Sequence, residues 1–172
     1  NALGGDHAVI EVQAGWRDRQ DLLGYYNNFH RHYYASNFLQ ALYRAGTEVC
    51  RNRVTLIILD EINLSRVEQF FADFLSAIEQ PDDERRVTLM TDPVTPAPAL
   101  LVEGRHLPIP QNVWFVGTAN HDETTTSFAD KTYDRAHVME LPRHRAAPSA
   151  TPPKPSARPR VSLALSPIAD CS

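Results

Sequence analysis

Asp60 and Glu61 close an aliphatic run, Val54-Thr55-Leu56-Ile57-Ile58-Leu59, and a carboxylate pair in that position can carry the metal-and-water chemistry of phosphate hydrolysis. The first acid serves Mg²⁺, directly or through water, and the second polarises the attacking water. The plain alternative is a strand that ends in a polar turn. Glycoside chemistry fits less well, because it needs carboxylates about 5 to 10 Å apart across a cleft, whereas adjacent strand residues point to opposite faces. A second apolar run, Val113-Trp114-Phe115-Val116-Gly117-Thr118-Ala119, also ends in polar groups, Asn120-His121-Asp122-Glu123. If the two runs are neighbouring parallel strands, Asn120 lies beside the acid pair and can orient the water or a γ-phosphate.

The elements that must position these groups follow from periodicity. Both runs read as buried strands of a parallel sheet, whose carboxyl edge is where open α/β folds bind ligands. His7 to Gln13 is a third strand, with Val9, Ile10 and Val12 between flanking glycines. Phe38, Leu39, Ala41, Leu42 and Ala45 form one helix face, with Ser36 as cap and Gly46 as stop. Val67, Phe70, Phe71, Phe74, Leu75 and Ile78 make a strongly amphipathic helix, with Ser65 and Glu68 as a capping box and Pro81 ending it. Those phenylalanines are core, since a regular helical stripe is what packing against a sheet requires. Val87 to Met90 predicts a short strand, and Leu100 to Val102 with His106 to Ile109 predicts a hairpin around Glu103-Gly104-Arg105. His137 to Leu141 predicts a last brief strand.

Between the first strand and the first helix, Trp16 to Asn27 reads as an aromatic-anchored connection. Tyr25 and Tyr26 in it either stack a base or pin the loop to the core. His30 and His32 lack the further ligands that a metal site needs and read as solvated.

The 172 residues hold 17 basic and 21 acidic side chains, a net charge of −4. Five of the basic residues and one acid fall in Pro142–Ser172, leaving twelve basic and twenty acidic in residues 1–141. The body is therefore acidic and gives no global signal for nucleic acid. No run of about 18 apolar residues and no basic-then-apolar leader occurs, so the expectation is a cytoplasmic chain without a membrane span. Cys50 and Cys171 do not read as a disulfide framework. From Pro142 onward Pro, Ser, Ala and Arg dominate without periodicity, and disorder is expected. The predicted organisation is one α/β core over residues 1–141 and a Pro/Arg-rich tail over 142–172.

Several strings in succession resemble one family. Val12-Gln13-Ala14-Gly15-Trp16, Asp21-Leu22-Leu23-Gly24-Tyr25-Tyr26-Asn27, Leu59-Asp60-Glu61-Ile62-Asn63-Leu64-Ser65-Arg66-Val67-Glu68, Gly117-Thr118-Ala119-Asn120-His121-Asp122-Glu123-Thr124-Thr125 and Asp134-Arg135-Ala136 are similar to the McrB-like branch of the AAA+ NTPases. The resemblance runs from about Val9 to Leu141. It implies a homo- or hetero-oligomeric ring, usually hexameric, that hydrolyses ATP or GTP with Mg²⁺ between subunits and drives a partner such as a nuclease acting on DNA in restriction systems. Asp60 and Glu61 match the Walker B pair, Asp60 as the Mg²⁺ residue and Glu61 as base, and Asn120 matches sensor 1. Arg135 matches an arginine finger, or else pairs with Asp134, since the family often shows an Arg pair where this chain has Arg135-Ala136. Asn63 and Arg66 act beside the Walker B pair or cap the following helix.

The departures bear on activity. A Walker A loop needs G-x-x-x-x-G-K-S/T, and the chain contains no such string. Nothing after Leu141 resembles the helical lid. In the family, the strand before Walker A separates the fourth from the fifth. Without it the second, third and fourth strands can still pair in order, with an exposed edge and an uncovered apolar face. The sequence thus predicts a partial AAA+ core carrying the hydrolysis half of the site and, by itself, binding nucleotide weakly or not at all. The alternatives are a non-catalytic ring subunit and a truncated gene product.

Overall fold

A computed structural model describes residues 5–120 and 136–140. Within the first unit, three parallel strands form the central sheet: β1 (Asp6–Glu11), β4 (Thr55–Asp60) and β7 (Val113–Gly117), with β4 in the middle. The register sets Ala8, Ile57 and Phe115 in one row and Val9, Ile58 and Val116 in the next. This is the pairing expected of the three aliphatic runs. Flanking helices make the chain an α/β fold with a parallel three-stranded sheet.

Two crossovers link the strands. The first contains α1 (Arg19–Leu23), a hairpin of β2 (Gly24–Asn27) and β3 (His32–Ala35), and α2 (Asn37–Ala45). The second contains α3 (Val67–Phe70), α4 (Ala72–Ile78) and a two-stranded ribbon of β5 (Arg86–Thr88) and β6 (His106–Pro108). α2 begins where predicted: the Ser36 hydroxyl accepts from Leu39 N at 3.1 Å, and Gly46 caps its end. Its buried Phe38, Leu39, Leu42 and Ala45 face the sheet side of the core. Phe38, Phe74 and Phe115 meet with ring centroids 5.1, 5.0 and 6.0 Å apart, which ties both crossovers to the same sheet face. Asn112 fixes the entry to β7 by donating from Nδ2 to the carbonyls of Ala45, Cys50 and Arg53 at 3.2, 3.1 and 2.7 Å. Cys50 is buried, and Cys171 lies outside the described residues.

Five expectations change. The helix predicted from Ser65 is split at Phe71, whose φ of −112° and ψ of −11° end α3 and start α4. Ser65 does not cap it. The Ser65 hydroxyl is turned inward and donates to the Trp16 carbonyl, so Arg66 occupies the cap position without a side-chain bond. The connection from Trp16 to Asn27 is not a loop: Asp18 and Asp21 form a capping box on α1, and the tyrosines that follow enter a hairpin. His106–Pro108 pairs with Arg86–Thr88, while Val102 makes only a single bridge to His106. A separate unit begins at His137, and no strand occurs over the described residues 137–140. Leu141 and the tail from Pro142 lie outside the described residues. Among the described residues no helix is long and apolar enough to cross a membrane.

Candidate functional site

The carboxyl ends of β4 and β7 meet through side chains as well as backbone. Asp60 is the last residue of β4, and its carbonyl accepts from Val12 N at 3.0 Å on the β1 side. On the β7 side the Thr118 hydroxyl donates to Asp60 Oδ1 at 2.5 Å and accepts from Glu61 N at 2.9 Å. A single hydroxyl therefore holds the first carboxylate and the backbone of the second.

Glu61 leaves the strand in the left-handed region, with φ 54° and ψ 45°. That conformation costs a residue with a Cβ about 1–2 kcal/mol and is found where the surroundings over-determine it. Here the surroundings are Thr118 on the Glu61 amide and a 2.8 Å bond from Ile62 N to the Thr118 carbonyl. The turn changes where the second acid goes. Strand alternation predicts opposite faces for Asp60 and Glu61. Instead Glu61 Oε1 accepts from Asn120 Nδ2 at 3.0 Å, so both acids are held along the tip of β7, by Thr118 and Asn120.

Asn63, in the 3₁₀ turn after Glu61, completes the cluster by donating from Nδ2 to the Asn120 carbonyl at 2.8 Å. It is 5% exposed, and its Oδ1 is buried without a hydrogen-bond partner among the described residues. A buried acceptor left open in this way is suited to a water or an incoming donor. Arg66 is exposed at the start of α3 and makes no side-chain cap. Arg135 and Asp134 lie outside the described residues, so the structure places neither of them relative to the acids.

Of the residues singled out from sequence, the structure brings together Asp60, Glu61 and Asn120. Thr118 is the member that residue types alone did not mark. Its role depends on strand register, and the only signal was its place two residues before Asn120 on the same edge. No His, Cys, Asp or Glu cluster of three or more converges among the described residues. The donor set at Asp60 and Glu61 suits Mg²⁺ held by one or two carboxylates plus water and substrate phosphates, rather than an all-protein cage. A separate open hollow of about 260 Å³, lined by Arg19, Asp73, Phe74, Arg86 and Thr88 among others, contains none of these residues.

Comparison with protein-family models and with curated protein sequences returns no match for this chain.

Proposed function

We propose that this chain carries the hydrolysis half of a nucleoside triphosphatase site of the McrB-like AAA+ kind. The observation that carries this reading is the joint placement of Asp60, Glu61 and Asn120 at adjacent tips of parallel strands, tied together by Thr118. Asp60 would hold Mg²⁺ arriving with ATP or GTP, and the ion supplies charge neutralisation at the phosphate oxygens when bound. Glu61 accepts the proton of the attacking water. Asn120, which already holds the Glu61 carboxylate, orients that water against the γ-phosphate. Arg135 is assigned, on its sequence position alone, as the cation offered to a neighbouring subunit's nucleotide in a ring.

The half-site reading predicts that the full chain alone binds Mg-ATP and Mg-GTP weakly or not at all in calorimetry. Mixed with a ring subunit that carries a phosphate loop, it adds turnover, and Glu61→Gln removes that gain by about a hundredfold or more. Tight binding by the chain alone, with turnover abolished by Glu61→Gln, overturns the half-site assignment. A gain that survives Glu61→Gln leaves the second reading, a non-catalytic ring subunit.

A further inference from the structure

The hairpin of β2 and β3 carries an aromatic surface that the nucleotide site does not use. Cross-strand partners share a face of an antiparallel ribbon, so Tyr25 with Tyr34 and Asn27 with His32 lie on one side, and Tyr26 with Tyr33 on the other. The second side is the anchor. Tyr33 donates its hydroxyl towards the carbonyls of Leu23 and Gly24 at 3.3 and 3.2 Å, and Gly24, at φ 88°, packs so closely under the Tyr34 carbonyl that a Cβ would collide with it. The first side is open. Tyr25 and Tyr34 are 47% and 43% exposed and stack with centroids 5.4 Å apart at 24°, and His32 sits edge-on to Tyr34 at 4.9 Å.

The row continues into the turn, where Phe29 is 90% exposed and meets His30 at 5.1 Å. Asn27 Oδ1 accepts from the Phe29 and His30 amides at 2.9 and 3.0 Å, so the tip is preformed. Arg31 is exposed beside it, and no Asp or Glu occurs between Leu22 and Thr47. This acid-free stretch, set in a chain of net charge −4, is a local departure from the overall balance.

We propose that this hairpin is a stacking platform for single-stranded nucleic acid, with Tyr25, Tyr34 and Phe29 receiving successive unstacked bases and Arg31 meeting the backbone. Exposed rings on a ribbon that carries a cation, Arg31, and no acids are elements of sequence-tolerant single-strand binding. The chain's net charge supplies no long-range attraction, so stacking carries the affinity and the salt dependence is shallow. This assignment is independent of the proposed nucleotide site.

The test is fluorescence anisotropy of a labelled oligothymidylate, and of the same length as duplex, titrated with the full chain over a salt series. Single strand binds in preference to duplex. Tyr25→Ala and Tyr34→Ala each weaken binding about tenfold, whereas Tyr34→Phe, which keeps the ring, retains it. Arg31→Ala lowers the salt slope by about 0.7. Circular dichroism melts confirm that each variant is folded, and Tyr34→Phe reports on the platform even if an alanine variant unfolds. Absence of binding by the wild type, equal affinity for duplex, or binding indifferent to folded Tyr25→Ala and Tyr34→Ala overturns the proposal. So does loss of a homo-oligomer in the same variants without nucleic acid, which would put a second copy of the chain on the platform.

Discussion

The central sheet has two faces built from alternate residues of the same strands. On one, Ile10, Ile57, Leu59 and Val113 are 7%, 0%, 1% and 6% exposed under Phe38 and Phe74. On the other, Val9, Trp114 and Val116 are 54%, 66% and 42% exposed, in rows with the half-buried Leu56 and Ile58. Residue type does not separate these faces, since both are aliphatic and aromatic. Topology does. From β1 to β4 to β7 the chain steps twice in the same direction, and parallel crossovers are almost always right-handed, so both helical connections fall on one face. A parallel sheet normally buries both faces. Here the second would need strands wound the opposite way, and none occurs among the described residues.

The largest effect that tests this contrast is on the covered face. Phe38→Ala opens a cavity where Phe71, Phe74 and Phe115 converge, and should cost about 3–5 kcal/mol in urea unfolding. A cost under about 1 kcal/mol would mean that this face is not the packed one.

At the rim, where the two faces meet the candidate site, Thr118→Val removes the hydroxyl that joins Asp60 to the Glu61 amide. The expected loss is about 0.5–1.5 kcal/mol, the net worth of an ordinary hydrogen bond, because both bonds are exposed and water can take the place of the hydroxyl. Thr118→Ser keeps the hydroxyl and should restore most of it, which separates the hydrogen bonds from packing.

These elements differ in how readable they were. β1, β4 and β7 stand out as aliphatic runs, and α2 is bracketed by Ser36 and Gly46. The hairpin of Gly24 to Ala35 is hidden, because Tyr25-Tyr26 and Tyr33-Tyr34 show no period-two alternation of polarity. The break at Phe71 is invisible because the apolar stripe from Val67 to Ile78 is unbroken. Pairing of His106–Pro108 with Arg86–Thr88 is a long-range choice that local turn signals around Gly104 misdirect. At the site, Asp60, Glu61 and Asn120 were legible as polar ends of apolar runs. The left-handed turn at Glu61 and the link through Thr118 were not, since both depend on the register of β7 against β4.

On the covered side the hairpin's anchor predicts a pH effect. Burial pushes the Tyr33 phenol up to about 12, with Arg19 pulling the other way. An unfolded tyrosine ionises near about 10, so the stability tied to its neutral form is fully present below that pH and is lost between about 10 and about 12. Solvent screening at this half-buried position limits the effect to on the order of 1 kcal/mol. Thermal melts from neutral to strongly alkaline pH should show that decline in the wild type and a weaker one in Tyr33→Phe.

The smallest effect on stability belongs to the open face, and it is the one that defines the comparison. Trp114→Thr with Val116→Thr keeps β-forming side chains on β7 while removing apolar surface from water rather than from a core. The unfolding free energy should therefore change by no more than about 0.5 kcal/mol. Sedimentation should change more, because an exposed apolar patch on β7, an edge strand among the described residues, favours association, and the double variant should stay monomeric at concentrations where the wild type does not. If the same double variant instead loses about 2 kcal/mol or more, Trp114 and Val116 are packed in solution. In that case both faces of the sheet are covered, and the difference between them reflects which residues supply the cover rather than its absence.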